Sequence, residues 1–320
     1  MNNNLTTITS KEKNADSLAN TSENKNVPAK THFKSITQGK KRPLDALLYT
    51  LIFIFSAVVL IMTIYFIGYI FAKGLGGIST KFLFTAPNPL TKSIGIFPSI
   101  VNTLYIVLLS LLFAVPLGIG GAIYINEYAK NQTFIKIIEF TTETLSGIPS
   151  IVFGVFGYIF FCVKMGLRVS LLSGALTLTI IVLPIIIRTV GEALKTVPSS
   201  YRDGALGLGA AKWHFIRTIL LPSSSGGIIT AVILAIGRMV GESAALMLVA
   251  GGAAMYMPRG NFFQQIIGSG STLSVELYRY AYSQGENSVG FAIATALLII
   301  VIILNLSIKI LSKKFKRGYR

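Results

Sequence analysis

Six times along its 320 residues the chain runs for about 20 residues or more almost without charge. At 1.5 Å of rise per residue, a helix of that length matches the roughly 30 Å hydrocarbon core of a bilayer. Composition agrees: 52% of residues are hydrophobic and only 13% charged, against about 25% charged in a soluble domain. Mean hydropathy is +0.66. Hydrocarbon offers the backbone no water to bond, so each run must satisfy its own N–H and C=O groups, and runs of this length do so as helices. The expected fold is all-α and polytopic, with spans at 44–71, 98–125, 144–163, 169–187, 226–250 and 289–311.

The flanks give an orientation. Residues 1–43 are rich in Asn, Ser, Thr and Lys and nearly lack large apolar side chains, which predicts a disordered tail. Residues 312–320 form a short basic tail. Lys and Arg crowd the two tails and the segment 188–222, and thin out in the loops around 72–97, 164–168 and 251–288. By the positive-inside rule both termini and the 188–222 segment face the cytoplasm. The formal charge of +17 therefore reads as membrane topology rather than nucleic-acid binding, since no basic stripe is interleaved with aromatics in a soluble segment. The single cysteine, Cys162, sits in an apolar run, and His32 and His214 stand far apart, so no disulfide or metal spacing is present. Nor does the pattern GxxxxGK[ST] of a phosphate-cradling loop occur. The chain reads as a conduit without an ATP site or cofactor of its own, not as an enzyme.

Between the fourth and fifth spans lies the only long polar interruption with the marks of built structure, YRDGALGLGAAKWHFIRTILLP at 201–222. Ser200 stands three residues before Asp203, a capping-box-like spacing. Tyr201, Ala205 and Leu208 recur at i, i+4, i+7, which predicts one apolar face on a short helix. Gly207 and Gly209 end it, because glycine tolerates a left-handed turn. A second helical run, 211–221, leads to Pro222, giving a helix-turn-helix between two spans.

Charge inside the spans is the other informative feature. Arg238 and Glu242 are four apart in the fifth span, so on a continuous helix they share a face and pair. Intramembrane charge is costly and marks either a structural ion pair or an aqueous path. Gly237 and Gly241 form a GxxxG pattern that admits a close helix neighbour. Arg188 and Glu192 repeat the i, i+4 spacing nearer a membrane surface, and Glu139 and Glu143 precede Gly147-Ile148-Pro149-Ser150 at the start of the third span. The long outer segment 251–288 contains a short amphipathic helix near 262–267.

Position by position, 201–222 resembles the EAA loop of ABC-importer permeases: Glu-Ala-Ala, three residues, Gly, nine residues, Ile, one residue, Leu-Pro. Here Asp203, Gly204 and Ala205 stand at Glu-Ala-Ala, Gly209 at the glycine, and Ile219, Leu221 and Pro222 close the motif. The departures are Asp for Glu, which shortens the reach of the charge, and Gly for Ala, which costs roughly 1 kcal/mol of helix propensity. The runs 143–154 and 237–245, Val197-Pro198 and Gly209-Ala210-Ala211-Lys212-Trp213 are similar to the PstA-type permease of the phosphate ABC importer. That resemblance implies the six-span, MetI-like fold of type I importers and a coupling helix, with Tyr201 and Ala210 beside the motif residues, docking on a cytoplasmic ATPase. It further implies two ATPase copies that bind Mg-ATP, a second, PstC-like permease, and an external phosphate-binding protein. Arg238 and Glu242 match residues of the substrate path in that family. The residues alone leave open a permease for another oxyanion, such as sulfate or molybdate, and an ion-coupled secondary transporter. The latter should show an internal repeat, and none is evident.

Overall fold

A computed structural model describes residues 43–87, 94–252 and 262–317. The tail expected over 1–43 lies outside these, except for Pro43, which opens helix α1 (Pro43–Gly74). The chain divides into a unit ending at Met62 and a unit beginning at Thr63. In the first, residues 44–62 of α1 are exposed apart from a half-buried Ala57, so this stretch presents apolar side chains all round. That pattern is what a helix immersed in lipid requires.

The second unit is built of helices joined by loops, with no strand among its described residues. After α1 come α2 (Thr80–Phe84) and α3 (Phe97–Ile123), which runs on through a π-turn, Tyr124–Tyr128. Helix α4 (Gln132–Gly147) is followed by α5 (Ser150–Gly157), extended by a wider turn over Tyr158–Lys164. Helix α6 (Leu171–Lys195) precedes the loop helices α7 (Ser199–Gly207) and α8 (Lys212–Phe215). A π-turn, Ile216–Leu220, joins α8 to α9 (Leu221–Gly241), and α10 (Ala244–Val249) follows. The segment between α10 and the last helix holds α11 (Phe262–Ile267) and α12 (Leu273–Tyr278), before α13 (Asn287–Arg317).

Five of these helical stretches are long and apolar enough to cross a membrane, and there are six if the bent pair α4–α5 is taken as one span. Several expected boundaries move. The third span was expected to run straight from 144, but α4 meets Ser150–Lys164 at 99°. Pro149 is the cause: it bars Ile148 from helical geometry, and Ile148 lies at φ −70°, ψ 133°. The fifth span was expected to start near 226 after Pro222 closed a separate helix. Instead Lys212–Gly241 is one continuous helical stretch. A proline cannot donate to the carbonyl four residues back, and the π-turn just before Pro222 absorbs that loss without breaking the helix. The last helix continues through Arg317, into the segment read as a basic tail.

Helices α3, α6 and α9 form the centre. Ile106 and Ala114 of α3, Leu178, Val182 and Ile186 of α6, and Ala231, Ala235 and Ile236 of α9 are buried in one cluster. Small residues set the spacing. At Gly157 an added Cβ would stand 2.2 Å from Thr177 Oγ1 of α6. Gly157→Ala is therefore expected to destabilise the fold by about 1–3 kcal/mol through overpacking, seen as a lower thermal midpoint of the purified protein in detergent.

Candidate functional site

Helices α7 and α8 are the two legs of the loop singled out in the sequence. The expected capping box does not form. Helix α7 begins two residues early, at Ser199, with Pro198 in the cap position and no side-chain cap bond. Ser200 consequently lies inside the first turn, and Asp203 is exposed. Nor do Tyr201, Ala205 and Leu208 pack as one face: Ala205 is buried, whereas Tyr201 is 55% and Leu208 91% exposed.

The C-terminus of α7 follows the glycine reading. Gly209 adopts φ +81°. Its N–H donates to Leu206 O at 3.0 Å, and Ala210 N–H donates to Ala205 O at 3.0 Å. These two bonds define a Schellman cap, with Gly209 as the left-handed residue. The motif spacing from Ala205 to Gly209 and Ala210 is thus the spacing of that cap. Beyond it, Phe215, Ile216 and Leu220 are buried and Ile219, Leu221 and Pro222 half-buried, so the second leg is rooted in the core. Trp213 (59% exposed) and Leu206 (41%) join Tyr201 and Leu208 as large apolar side chains left uncovered on the loop.

Arg238 and Glu242 do not pair. Helix α9 ends at Gly241, and Glu242 has extended backbone, at φ −77°, ψ 119°. The Glu242 side chain is buried, and its Oε1 accepts from Ala245 N–H at 3.2 Å, capping α10. The Glu242 carbonyl accepts from Ser274 Oγ at 2.8 Å. The chain break is thus stabilised by groups that the expected ion pair would have left idle. Arg238 stays on α9, exposed, with no ion pair among the described residues. Leu234, Gly237, Arg238 and Gly241 form one exposed i, i+3, i+4, i+7 face. A Cβ at Gly237 or Gly241 would meet nothing within 4 Å, so among the described residues no helix occupies the GxxxG groove. Arg188 and Glu192 do pair, at 3.3 Å, but both are well exposed, where such a pair contributes about 0–1 kcal/mol. Lys195 reaches Glu139 at 3.5 Å, tying α6 to α4.

Residues 114–320 match the family model of the binding-protein-dependent transport system inner membrane component. The chain belongs to that family. Its relatives include the probable ABC transporter permease protein YqgI of Bacillus subtilis strain 168, 36% identical over 207 residues, which is 65% of this chain and 69% of the relative. The phosphate transport system permease protein PstA of Xylella fastidiosa strain Temecula1 is 36% identical over 197 residues, 61% of this chain and 67% of that protein. Among solved structures, a bacterial alginate ABC transporter crystallised with its alginate-bound periplasmic protein aligns with a TM-score of 0.56 at 19% identity, over 86% of this chain and 96% of that chain. The inward-facing MetNI methionine ABC transporter aligns at 0.50 and 21% identity, over 71% and 94%. At these identities the structural likeness concerns the fold, which is that of a type I ABC-importer permease.

Two features of this permease escaped the sequence reading. At the N-terminal end of α3, that helix and the segment around α12 share a buried polar network. Asn102 Nδ2 donates to Ser271 O at 3.2 Å, and Leu273 N–H donates to Thr103 Oγ1 at 3.0 Å. Glu276, 1% exposed, accepts from Ser271 Oγ and from Arg279 Nε, the latter at 2.9 Å. Beside it, burial pushes the Tyr280 phenol above its ordinary range, against the pull of Arg279. The polar run Ser269–Glu276 was the signal for this network. The second feature is Glu127, the sole carboxylate between Asp45 and Glu139. It lies at the end of α3 and contacts both legs of the loop.

Proposed function

We propose that this chain is the PstA-like permease of an ATP-driven phosphate importer, that α7 and α8 dock on a cytoplasmic ATPase, and that Arg238 lines the anion path. The phosphate assignment rests on relatives about 36% identical that carry phosphate transport in their names. The docking assignment rests on the loop geometry: a short helix held by a Schellman cap, rooted through α8 in the core, and offering Tyr201, Leu206, Leu208 and Trp213 to a partner. Uncovered apolar side chains on a polar loop are characteristic of protein–protein contacts. Asp203, Gly204, Ala205, Gly209, Ala210, Ile219, Leu221 and Pro222 then form and anchor the docking element. The distribution of Lys and Arg supports placing this loop and both termini in the cytoplasm.

The complete importer comprises this chain, a second PstC-like permease, two ATPase copies that carry Mg-ATP, and an external phosphate-binding protein. Closure of the ATPases on ATP moves α7, and the packed helices follow as rigid bodies, so the path opens alternately to either side. The open GxxxG face beside Arg238 is the side turned toward the second permease and the path. A single guanidinium holds phosphate weakly enough for it to leave. Glu242 shapes the backbone at the end of α9 rather than opposing Arg238 directly.

Uptake of labelled phosphate at low external concentration tests the reading. In cells lacking the gene, uptake should return only when the gene is restored, while labelled sulfate and molybdate uptake stay unchanged. Restored sulfate or molybdate uptake in place of phosphate would keep the importer and discard the substrate.

A further inference from the structure

Glu127 stands where three elements of the permease meet. It belongs to the π-turn Tyr124–Tyr128 that ends α3, and its side chain is only 9% exposed. The turn is held on its own side by Asn126 Nδ2 donating to Ala122 O at 2.8 Å and by Ala129 N–H donating to Tyr124 O at 2.9 Å. From the first leg of the loop, Arg202 Nη1 lies 3.7 Å from Glu127 Oε2. From the start of the second leg, Lys212 Nζ lies 3.9 Å from the same oxygen, donates to the Glu127 carbonyl, and sits 4.7 Å above the centre of the Tyr128 ring. Glu127 Oε2 makes no hydrogen bond and is fully screened from solvent. Its charge is therefore balanced by the two cations of the loop and by little else.

We infer that Glu127 is the positioning residue that couples movement of the α7–α8 loop to α3, a role that rests on the function proposed above. The geometry is that of a pin. The two legs on either side of the Gly209 turn each bring one cation to a single buried carboxylate, and the carboxylate is built into the helix that makes the most extensive packing with α6. A buried carboxylate that loses either cation is left with uncompensated charge, so the cheapest displacement of the loop carries Glu127 and α3 along. Lys195, which ties the end of α6 to Glu139, does not reach this carboxylate, so α6 follows through its packing on α3.

The test uses the complete importer, both permeases with the ATPases, reconstituted in proteoliposomes with the binding protein and labelled phosphate. Two quantities are read for wild type, Glu127→Gln, Glu127→Asp and Arg202→Gln. The first is phosphate moved per ATP hydrolysed. The second is the distance distribution between spin labels at exposed positions 130 and 200, neither of them a docking residue, which needs no substrate. Glu127→Gln should assemble and hydrolyse ATP, yet move at least about fivefold less phosphate per ATP and show a broadened label distance. Glu127→Asp, which keeps the charge, should recover part of both losses, and Arg202→Gln should show a smaller version of them. A Glu127→Gln complex with the wild-type ratio, or with the wild-type label distance, would overturn the inference. A wild-type complex that hydrolyses ATP without moving phosphate counts against the proposed substrate alone, and the label distances then judge Glu127 by themselves.

Discussion

Replacing Arg238 by alanine is expected to cut phosphate uptake roughly 10- to 100-fold while leaving the ATPases attached to the permease. Arg238 lies in the last turn of α9, still within an apolar spanning stretch where unpaired charge is costly, and among the described residues no carboxylate pairs with it. Glu242, the one candidate, is turned away to cap α10. That no described carboxylate compensates the guanidinium is what an aqueous path, an anion passing along it, or a second permease beside it would require. A charge-assisted hydrogen bond contributes about 1.5–3 kcal/mol, and that range sets the expected fold-change. Arg238→Lys should fall between, since lysine keeps the charge but loses the planar fork that binds phosphate oxygens in pairs. Uptake by transport-competent cells, normalised to permease and ATPase recovered together from the membrane, reads the effect. Unchanged uptake by Arg238→Ala in an intact complex would remove Arg238 from the path.

What could be read from the sequence divides along the range of the forces involved. The membrane helices were legible because length and hydropathy are local properties, and the end of α7 because the left-handed preference of Gly209 is local too. The bend between α4 and α5 was half-legible: Pro149 announced a restriction at Ile148 but not an angle of 99°. The break after Gly241 was not legible at all. A GxxxG run with an Arg–Glu pair four apart reads as continuous helix, and it gives way here because Ser274, far along the chain, bonds the Glu242 carbonyl. The contacts of Glu127 to Arg202 and Lys212 are likewise invisible to local pattern, since the partners meet only when α3 and the loop are brought side by side. In the same way, Pro222 signalled a stop locally, and the π-turn that lets the helix pass through it is a choice made by the packing of Ile216 and Leu220 in the core.

A residue other than glycine at position 209 is expected to detach the ATPase, and here the physical argument isolates a single cause. At Gly209 a Cβ would meet nothing within 4 Å, so side-chain size does not clash with the permease itself. The constraint is the backbone: φ +81° costs an ordinary residue about 1–2 kcal/mol, and a β-branched one more. The loop escapes that cost by abandoning the Schellman bonds from Gly209 and Ala210, and α7 then no longer leaves Leu206 and Leu208 where a docking partner needs them. Gly209→Ala should reduce the ATPase recovered per permease about fivefold or more, Gly209→Val further, and Gly209→Glu to background, since it adds an unpaired carboxylate to the contact. The thermal midpoint of the isolated permease should change little across the series, because Gly209 itself is exposed and a side chain there displaces none of the core around Ala205. ATPase recovery equal to wild type for Gly209→Val, at equal permease levels in the membrane, would move the docking site away from this turn. A parallel fall in permease stability would instead show that the cap serves the fold rather than the partner.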